Sequence, residues 1–348
     1  MKKNGKLLSL VLLLAVIAAW IWYNQSGSTL KQELRDFAVE DTASVSQIRI
    51  TDKTGKSVTL KRNGPGNWTV NGKYIARNDA LNNLMEVIRN VEVRNPVGKK
   101  GMENVTRSLA TGGIKAEIWV KDELFKVYYV GTETQDNEGT IMLMHDHNEG
   151  VNSSVPFVMH IPGFTGYLTP RFFIDEKLWR DKILFRFDAS TMKSVEVKFH
   201  RYVDSNFTVT LKDGDEISVM LASGKFMQNV DTVRTRQYLS YYTSVNYEGI
   251  ETFSNVKMDS ILGNKPVHTI IATDVNGNTT TLTTYPKPPV TRGNDIVLRD
   301  KVITEDPDRM WATVNANKDE VVLVQFFVIG KLLQGPSYFR KRPGSVNK

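Results

Sequence analysis

The sequence predicts an α+β protein with two related units of antiparallel sheet and packed helix, preceded by one N-terminal transmembrane helix. Three observations lead to this prediction. Leu7–Tyr23 is an apolar stretch without a charged residue. The rest of the chain repeatedly alternates apolar and polar residues between Asn, Asp and Gly turns, which is typical of β-hairpins. Finally, the order of these predicted strands and helices occurs twice.

The apolar stretch Leu7–Tyr23 is seventeen residues long. A helix of that length covers about 26 Å, near the shorter limit for a bilayer. Trp20, Trp22 and Tyr23 lie at its C-terminal end, where aromatic rings favour the membrane interface. Lysines but no acids precede it. The positive-inside rule therefore predicts a single-pass signal-anchor in the inner (cytoplasmic) membrane, with residues 1–6 in the cytoplasm and the bulk of the chain in the periplasm.

A cleaved signal peptide is the alternative interpretation, because its apolar region would have the same composition. Cleavage needs small residues just beyond the apolar core. Ala18 and Ala19 come too early, bulky aromatic residues follow them, and Gly27 with Ser28 offers only a weaker late site. We therefore expect the segment to be retained as an anchor. A lipid-modified cysteine is excluded because the sequence contains no cysteine.

The overall composition is ordinary for a folded protein of 348 residues, with 41% hydrophobic and 24% charged residues. The net charge is +7, and three of these charges are the lysines before the apolar stretch. The remaining excess is mild, so we expect no nucleic acid among the partners. The absence of cysteine favours a bacterial envelope protein that is stabilised by its core alone.

The first unit is predicted at residues 30–177. Its pattern indicates a hairpin around Asp52–Gly55, a strand from Trp68, a helix capped by Asn78 or Asp79 and running to about Asn90, strands at Ile114–Val120, Leu124–Val130 and Thr140–Met144, and an ordered connection over Val155–Phe173.

The second unit is predicted at residues 178–335, followed by a basic tail at 336–348. Its pattern indicates strands near Val195–Phe199, Phe207–Leu211 and Ile217–Leu221, a helix at Thr232–Ser244, a hairpin of Val267–Thr273 and Thr279–Tyr285, a strand at Met310–Val314, and a buried strand or helix within Val321–Leu333. Both units thus show a hairpin, a third strand, a helix, a second hairpin and a further strand. This order predicts an internal repeat.

Several of these positions resemble a known family. An N-terminal anchor, Phe37, Ile48-Arg-Ile50, Val58–Arg62, Trp68-Thr-Val70 and a helix containing Leu84 are similar to the DUF4340 family of bacterial envelope proteins. The Asn-rich turns and the lack of cysteine resemble a Bacteroidota member. The resemblance implies an uncharacterised envelope protein, and some members are encoded beside ABC-type transport or gliding-associated genes. It implies no catalytic residue.

The metal-ligand candidates are His145 and His147, which share a face if residues 145–147 continue a strand, with His160 as a possible third ligand. The alternative is the polar end of a hairpin, because Asn148 to Gly150 has turn composition. We favour the hairpin end and predict neither a metal nor another cofactor.

Catalytic candidates are few. The sequence contains no Gly-x-Ser-x-Gly motif and no cysteine nucleophile. Carboxylates cluster in two places, both of which have turn composition, where acids are common without a catalytic role: Asp213, Asp215 and Glu216, then Asp306 and Asp308. Two groups of aromatic residues indicate either core packing or a partner-binding face: Phe164, Tyr167, Phe172 and Phe173, then Tyr238, Tyr241, Tyr242 and Tyr247.

These observations favour a non-enzymatic interaction module of an envelope, ABC-transport or gliding-associated assembly. Its expected partners are the lipid bilayer, through Leu7–Tyr23, and other envelope proteins. The alternative is a ligand-binding module for glycan or lipid that uses a cleft between the two units. A hydrolase with an unrecognised site is the third hypothesis.

Overall fold

Large antiparallel sheets form the framework of the protein. A computed structural model describes residues 13–20, 35–188, 190–212, 216–289, 297–298 and 301–341. The chain is of mixed α+β structure and divides into two units, Met1–Asp181 and Lys182–Lys348. The division confirms that the sheets belong to separate units. Every strand pair in the described part of the chain is antiparallel, and each unit is considered separately.

The first unit contains ten strands in one sheet: β1 (Val45–Thr51), β2 (Ser57–Gly64), β3 (Asn67–Val70), β4 (Tyr74–Ile75), β5 (Glu92–Pro96), β6 (Ile114–Val120), β7 (Glu123–Glu133), β8 (Thr140–Asp146), β9 (Val151–Asn152) and β10 (Phe157–His160). Their order is β4-β3-β2-β1-β6-β7-β8-β10-β5, and β9 pairs with β8. From residue 35 onward, the α-helices described in this unit are Asn78–Asn90, Met102–Gly112 and Glu176–Trp179.

The first hairpin shows how the sequence pattern sets the register. Ile48 lies opposite Leu60 and Ile50 lies opposite Val58, so all four apolar side chains face the core. In the turn, the carboxylate of Asp52 accepts hydrogen bonds from the N–H groups of residues 54 and 56. The following glycine, residue 55, adopts φ +86°, a conformation that favours glycine. The predicted hairpin is therefore confirmed.

The helix Asn78–Asn90 covers the inner face of this sheet. Its buried residues recur at helical spacing: Ala80, Leu81, Leu84, Val87 and Ile88. Trp68 on β3 is buried in the same core, and the guanidinium of Arg62 lies 4.6 Å from the centre of its ring. The predicted caps were wrong, because Arg77 occupies the N-cap and Asp79 lies in the first turn, where it accepts a hydrogen bond from Arg77.

Among the residues described for the second unit there are twelve strands: β11 (Ile183–Phe185), β12 (Met192–Phe199), β13 (Phe207–Lys212), β14 (Glu216–Leu221), β15 (Val245–Asn246), β16 (Gly249–Ile250), β17 (His268–Asp274), β18 (Thr279–Tyr285), β19 (Val297–Leu298), β20 (Lys301–Val302), β21 (Arg309–Val314) and β22 (Val322–Gln325). Eight form a sheet in the order β14-β13-β12-β17-β18-β21-β22-β16. The α-helices of this unit are Thr232–Ser240, Asn255–Leu262 and Phe326–Ile329.

The two large sheets follow the same strand order. The series β3-β2-β1-β6-β7-β8-β10-β5 corresponds strand for strand to β14-β13-β12-β17-β18-β21-β22-β16. In each unit one helix precedes the far edge strand and a second follows it: Asn78–Asn90 and Met102–Gly112 around β5, and Thr232–Ser240 and Asn255–Leu262 around β16. The two units therefore share one topology.

Some elements differ from the sequence prediction. The connection Val155–Phe173 contains the strand β10, and neither Met102–Gly112 nor Asn255–Leu262 was predicted as a helix. The run Val321–Leu333 contains both structures considered for it, because β22 is followed by a helix and a 3₁₀ turn. Residues 336–341, assigned to the basic tail, pack on the second unit. Phe339 is fully buried there, with its ring centre 4.9 Å from that of Phe207.

The predicted membrane anchor lies mostly outside the described residues. Residues 13–20 form a helix in which every residue is exposed. Trp20 is 64% exposed, whereas Trp22, Tyr23 and residues 1–6 lie outside the described part. In the described ranges, no helix combines the length and the apolar composition needed to cross a bilayer.

We expect Trp68→Ala to lower the free energy of unfolding by about 3–5 kcal/mol, because it removes a large buried ring and leaves a cavity. Denaturant unfolding of the full chain measures this. Ile75→Ala is the control, since that side chain is 58% exposed and its loss should change stability by less than about 0.5 kcal/mol. Equal effects of the two variants would contradict a core role for Trp68.

Candidate functional site

The histidine pair lies at the end of β8 and in the turn that follows it. His145 Nδ1 lies 2.8 Å from the amide oxygen of Asn152. The Asp146 carboxylate accepts the backbone N–H of residue 148, which closes a polar turn. His145, Asp146 and His147 line an open pocket of about 260 Å³. The pair is thus at a hairpin end, and its first imidazole has a hydrogen-bond partner within the protein.

The third histidine lies at the opposite end of the paired strands. Residues 157 and 159 of β10 lie opposite Met142 and Thr140 of β8. His160 therefore lies one position beyond Thr140, roughly 20 Å of strand away from His145. The structure does not bring His160 to the other two histidines. No group of three or more His, Cys, Asp or Glu residues arranged to hold a metal occurs in the described part of the chain.

Lys126 and Asp36 also line the pocket that contains His145 and His147. The ammonium of Lys126 on β7 lies 2.9 Å from the Asp36 carboxylate, and its side chain is only 10% exposed. Burial lowers the pKa of Lys126, and the nearby Asp36 partly offsets that effect. This ion pair fixes the start of the first unit against its sheet.

A second pocket, which sequence reasoning missed, lies in the second unit. It has a volume of about 180 Å³ and is lined chiefly by residues of β12, β17 and β21 and by the segments 286–287 and 305–306. At its base the Lys287 ammonium donates to the Asp306 carboxylate at 2.7 Å, and both side chains are about nine-tenths buried. Burial alone would raise the pKa of Asp306, but the ammonium and two backbone N–H groups lower it below its usual value.

Two further ion pairs lie at this pocket. Arg201 donates to both carboxylate oxygens of Glu305, the longer bond being 3.0 Å. Arg309 binds Glu248 in the same bidentate way, at 2.8 and 3.1 Å. Hydrogen bonds from Arg309 lower the pKa of Glu248. Each cation of the pocket is thus paired with a carboxylate, so the pocket offers no free charge to a ligand.

The histidine of this pocket is neutral at physiological pH. Burial, with smaller contributions from the neighbouring Arg201 and His200, lowers the pKa of His268 to about 4. Its Nδ1 lies 3.2 Å from the Thr284 hydroxyl, and its ring packs against Phe199. The described residues that line the pocket include no serine, threonine or cysteine. The hydroxyl beside the imidazole belongs to Thr284, which is fully buried and does not line the pocket.

The remaining sequence candidates are structural or lie outside the described residues. The Asp306 carboxylate accepts the N–H of Asp308, as in a turn. Glu216 begins β14 and is exposed, whereas Asp213 and Asp215 lie outside the described ranges. Most of the aromatic candidates are buried or half-buried; Phe164 and Tyr167 are exposed, at 38% and 37%.

Comparisons with known proteins do not assign a site. Neither protein-family models, nor curated proteins, nor solved structures give a match to this chain. The resemblance to the DUF4340 family consequently stays a prediction from the sequence. The described geometry is then the only guide to the chemistry of each pocket.

We expect Lys287→Met to lower the free energy of unfolding by about 3–5 kcal/mol, because it leaves a buried carboxylate without its counter-charge. Chemical denaturation measures the loss. The double variant Lys287→Met with Asp306→Asn should recover part of it. Lys198→Ala is the matched control, since its pair with Glu196 is about 40% exposed and should contribute less than about 1 kcal/mol. A small effect of Lys287→Met would contradict this assignment.

We also expect acid to destabilise the second unit through His268. Its folded pKa of about 4 lies below the unfolded value of about 6.5, so only the unfolded state takes up the proton between these values. The contribution of the neutral imidazole to the free energy of unfolding should be fully present above about pH 6.5. That free energy should fall by roughly 1–2 kcal/mol as the pH decreases toward 4. His268→Gln should flatten this part of the stability curve. An unchanged pH dependence in the variant would refute the prediction.

Proposed function

We propose that this chain is a membrane-anchored periplasmic protein that acts as a non-enzymatic interaction module of an envelope assembly. The observation that carries the proposal is the exposure of the N-terminal helix. In residues 13–20 the large apolar side chains are between 43% and 64% exposed, namely Leu13, Leu14, Val16, Ile17 and Trp20. A continuous exposed apolar surface indicates contact with a membrane or a partner. The lysines before it and the aromatic residues at its end favour a membrane.

The distance between the anchor and the first unit supports a role at the membrane surface. By sequence, six polar or small residues, Asn24–Thr29, separate the predicted anchor from the first unit, and a random coil of that length would reach only about 12–15 Å. The first unit would therefore remain close to the bilayer, beside other membrane proteins. Such tethering raises the effective concentration of the first unit near these membrane proteins, so that even weak contacts with them can form.

The charged pocket supports a non-enzymatic role. Its cations are paired with carboxylates, and its buried Lys287–Asp306 pair has the geometry of a structural contact. The shared strand order of the two units supports an internal repeat, as in proteins that present similar surfaces twice. The resemblance to the DUF4340 family favours an assembly related to ABC-type transport or gliding.

The anchor is tested by replacing Val16 and Ile17 with lysine in the full chain. Two charges in the middle of an apolar helix strongly oppose membrane insertion. We expect this variant to lose the membrane fraction, and a reporter fused after Lys348 to be active only outside the cytoplasm in the unaltered protein. Val16→Leu with Ile17→Leu is the control and should stay in the membrane. N-terminal sequencing that finds a mature start near Ser28 would contradict the anchor.

The interaction role is tested by complementation of a deletion strain. Replacement of Leu7–Tyr23 by an unrelated membrane helix of the same orientation should restore function, whereas an exported form without any helix should not. Full complementation by the helix-free form would refute the tethering proposal. Restoration by the native helix alone would show that this helix makes specific contacts.

A further inference from the structure

The outer face of the second sheet carries hydroxyl groups and aromatic rings. Along β18, Leu282 faces the main core, so its neighbours Thr283 and Tyr285 lie on the other face. The register places Thr283 opposite Thr313, and Tyr285 opposite Trp311. Two cross-strand pairs thus form a strip on the face directed away from the main core.

The helix Asn255–Leu262 lies against this strip. Ile261 is buried in a small cluster with Trp311 and Val321 that is separate from the main core. A second stripe of the helix faces an open groove of about 520 Å³. This stripe follows the three- and four-residue spacing of one helical face: Asn255, Met258, Asp259 and Leu262.

The turn after β21 forms the other wall of the groove, with Ala316, Lys318 and Asp319 among the lining residues. Ala316 adopts φ +54°, a left-handed conformation that costs a residue with a Cβ atom about 1–2 kcal/mol. Backbone strain of this kind clusters at functional sites. The strained residue and the polar side chains therefore lie on the same wall.

The charged side chains of the groove differ from those of the pocket around Lys287. Across the described part of the chain, the side chains of Asp259, Lys318 and Asp319 make no hydrogen bond or ion pair with another residue. The charges of the pocket around Lys287 are all paired, in contrast. Polar side chains that line a groove and make no such bond can form hydrogen bonds with a ligand.

We propose that this groove binds a saccharide. A sugar ring presents hydroxyls that both donate and accept, together with an apolar face of C–H groups. The groove offers two carboxylates, one ammonium and the hydroxyl of Thr283 for hydrogen bonds to the sugar hydroxyls, and the ring of Tyr285 for stacking. The mixed charge disfavours a polyanion, and the polar walls disfavour an acyl chain. This site lies within the second unit, and the proposal does not depend on the membrane anchor.

The volume also suits this class of ligand. Pockets for small molecules enclose about 300–1,000 Å³, and they combine apolar walls with a few placed polar groups. The groove is open to solvent, so it suits a short oligosaccharide that stays partly exposed when bound. Of the groups named here, Asp259 is the best probe because it is exposed on the helix and contributes nothing to the cluster beneath it.

The test is a titration of the full chain, purified in a detergent without a sugar headgroup, with chitotriose, cellotriose and maltotriose. Isothermal titration calorimetry at millimolar ligand concentrations should detect binding of at least one of these three trisaccharides. Asp259→Asn and Tyr285→Leu should each weaken that binding about tenfold, the loss expected for a charged hydrogen bond or a ring contact. Val256→Ala is the control, since this residue of the same helix is 80% exposed and does not line the groove.

Thermal unfolding of each variant shows whether a loss of binding is caused by a loss of folding. Asp259→Asn alters an exposed side chain and should leave the unfolding temperature unchanged. Binding that is weakened in both groove variants but not in Val256→Ala supports the proposal. Failure of all three trisaccharides to bind would overturn it. Binding that persists unchanged in Asp259→Asn would also overturn it, because the sugar would then occupy another site.

Discussion

Each unit depends on one long-range strand pairing. In the first unit β1 pairs with β6, so that Ile48 lies opposite Ile118. In the second, β12 pairs with β17, so that Val195 lies opposite Ala272. Both pairings join two hairpins that are separated in sequence by two helices and an edge strand. Once they form, the remaining strands can be added only outward on either side. Non-local contacts of this kind make sheet proteins slow to fold. The pairing is favourable only when both hairpins turn their apolar side chains to the same side of the sheet.

The hairpins were predictable because their signals are local. Alternation fixes which side chains face the core, and a carboxylate followed by a glycine fixes the turn, as at Asp52 and again at Asp274. The helices Met102–Gly112 and Asn255–Leu262 were not predicted; each buries only one residue, Leu109 in the first and Ile261 in the second. Strand β10 was missed because Pro and Gly residues around it obscure a short alternating run. The edge strand β16, which is only two residues long, has no pattern at all.

The pocket in the second unit and the proposed groove were harder to predict from the sequence than the fold. The Arg201–Glu305 pair joins residues 104 positions apart, and nothing in the local sequence around either residue indicates the other. The proposed groove depends on the register between β18 and β21, which sets Thr283 beside Thr313. One signal was present in the sequence: the run Thr279–Tyr285 has threonine at five of its seven positions and only one apolar residue in the main core, Leu282. The face that bears Thr283 and Tyr285 points away from that core and lines the groove instead.

The burial of Phe339 has a consequence for synthesis. Its ring lies against Phe207 and Tyr238, and its carbonyl accepts the N–H of Asp231. A ribosome adds this residue more than a hundred positions after the β13 strand that it completes. The first unit can close while the rest of the chain is still being made, whereas the second cannot complete its core before Phe339 has been added. A chain that stopped just before Phe339 would therefore keep the whole first unit and leave the core of the second unit without this ring.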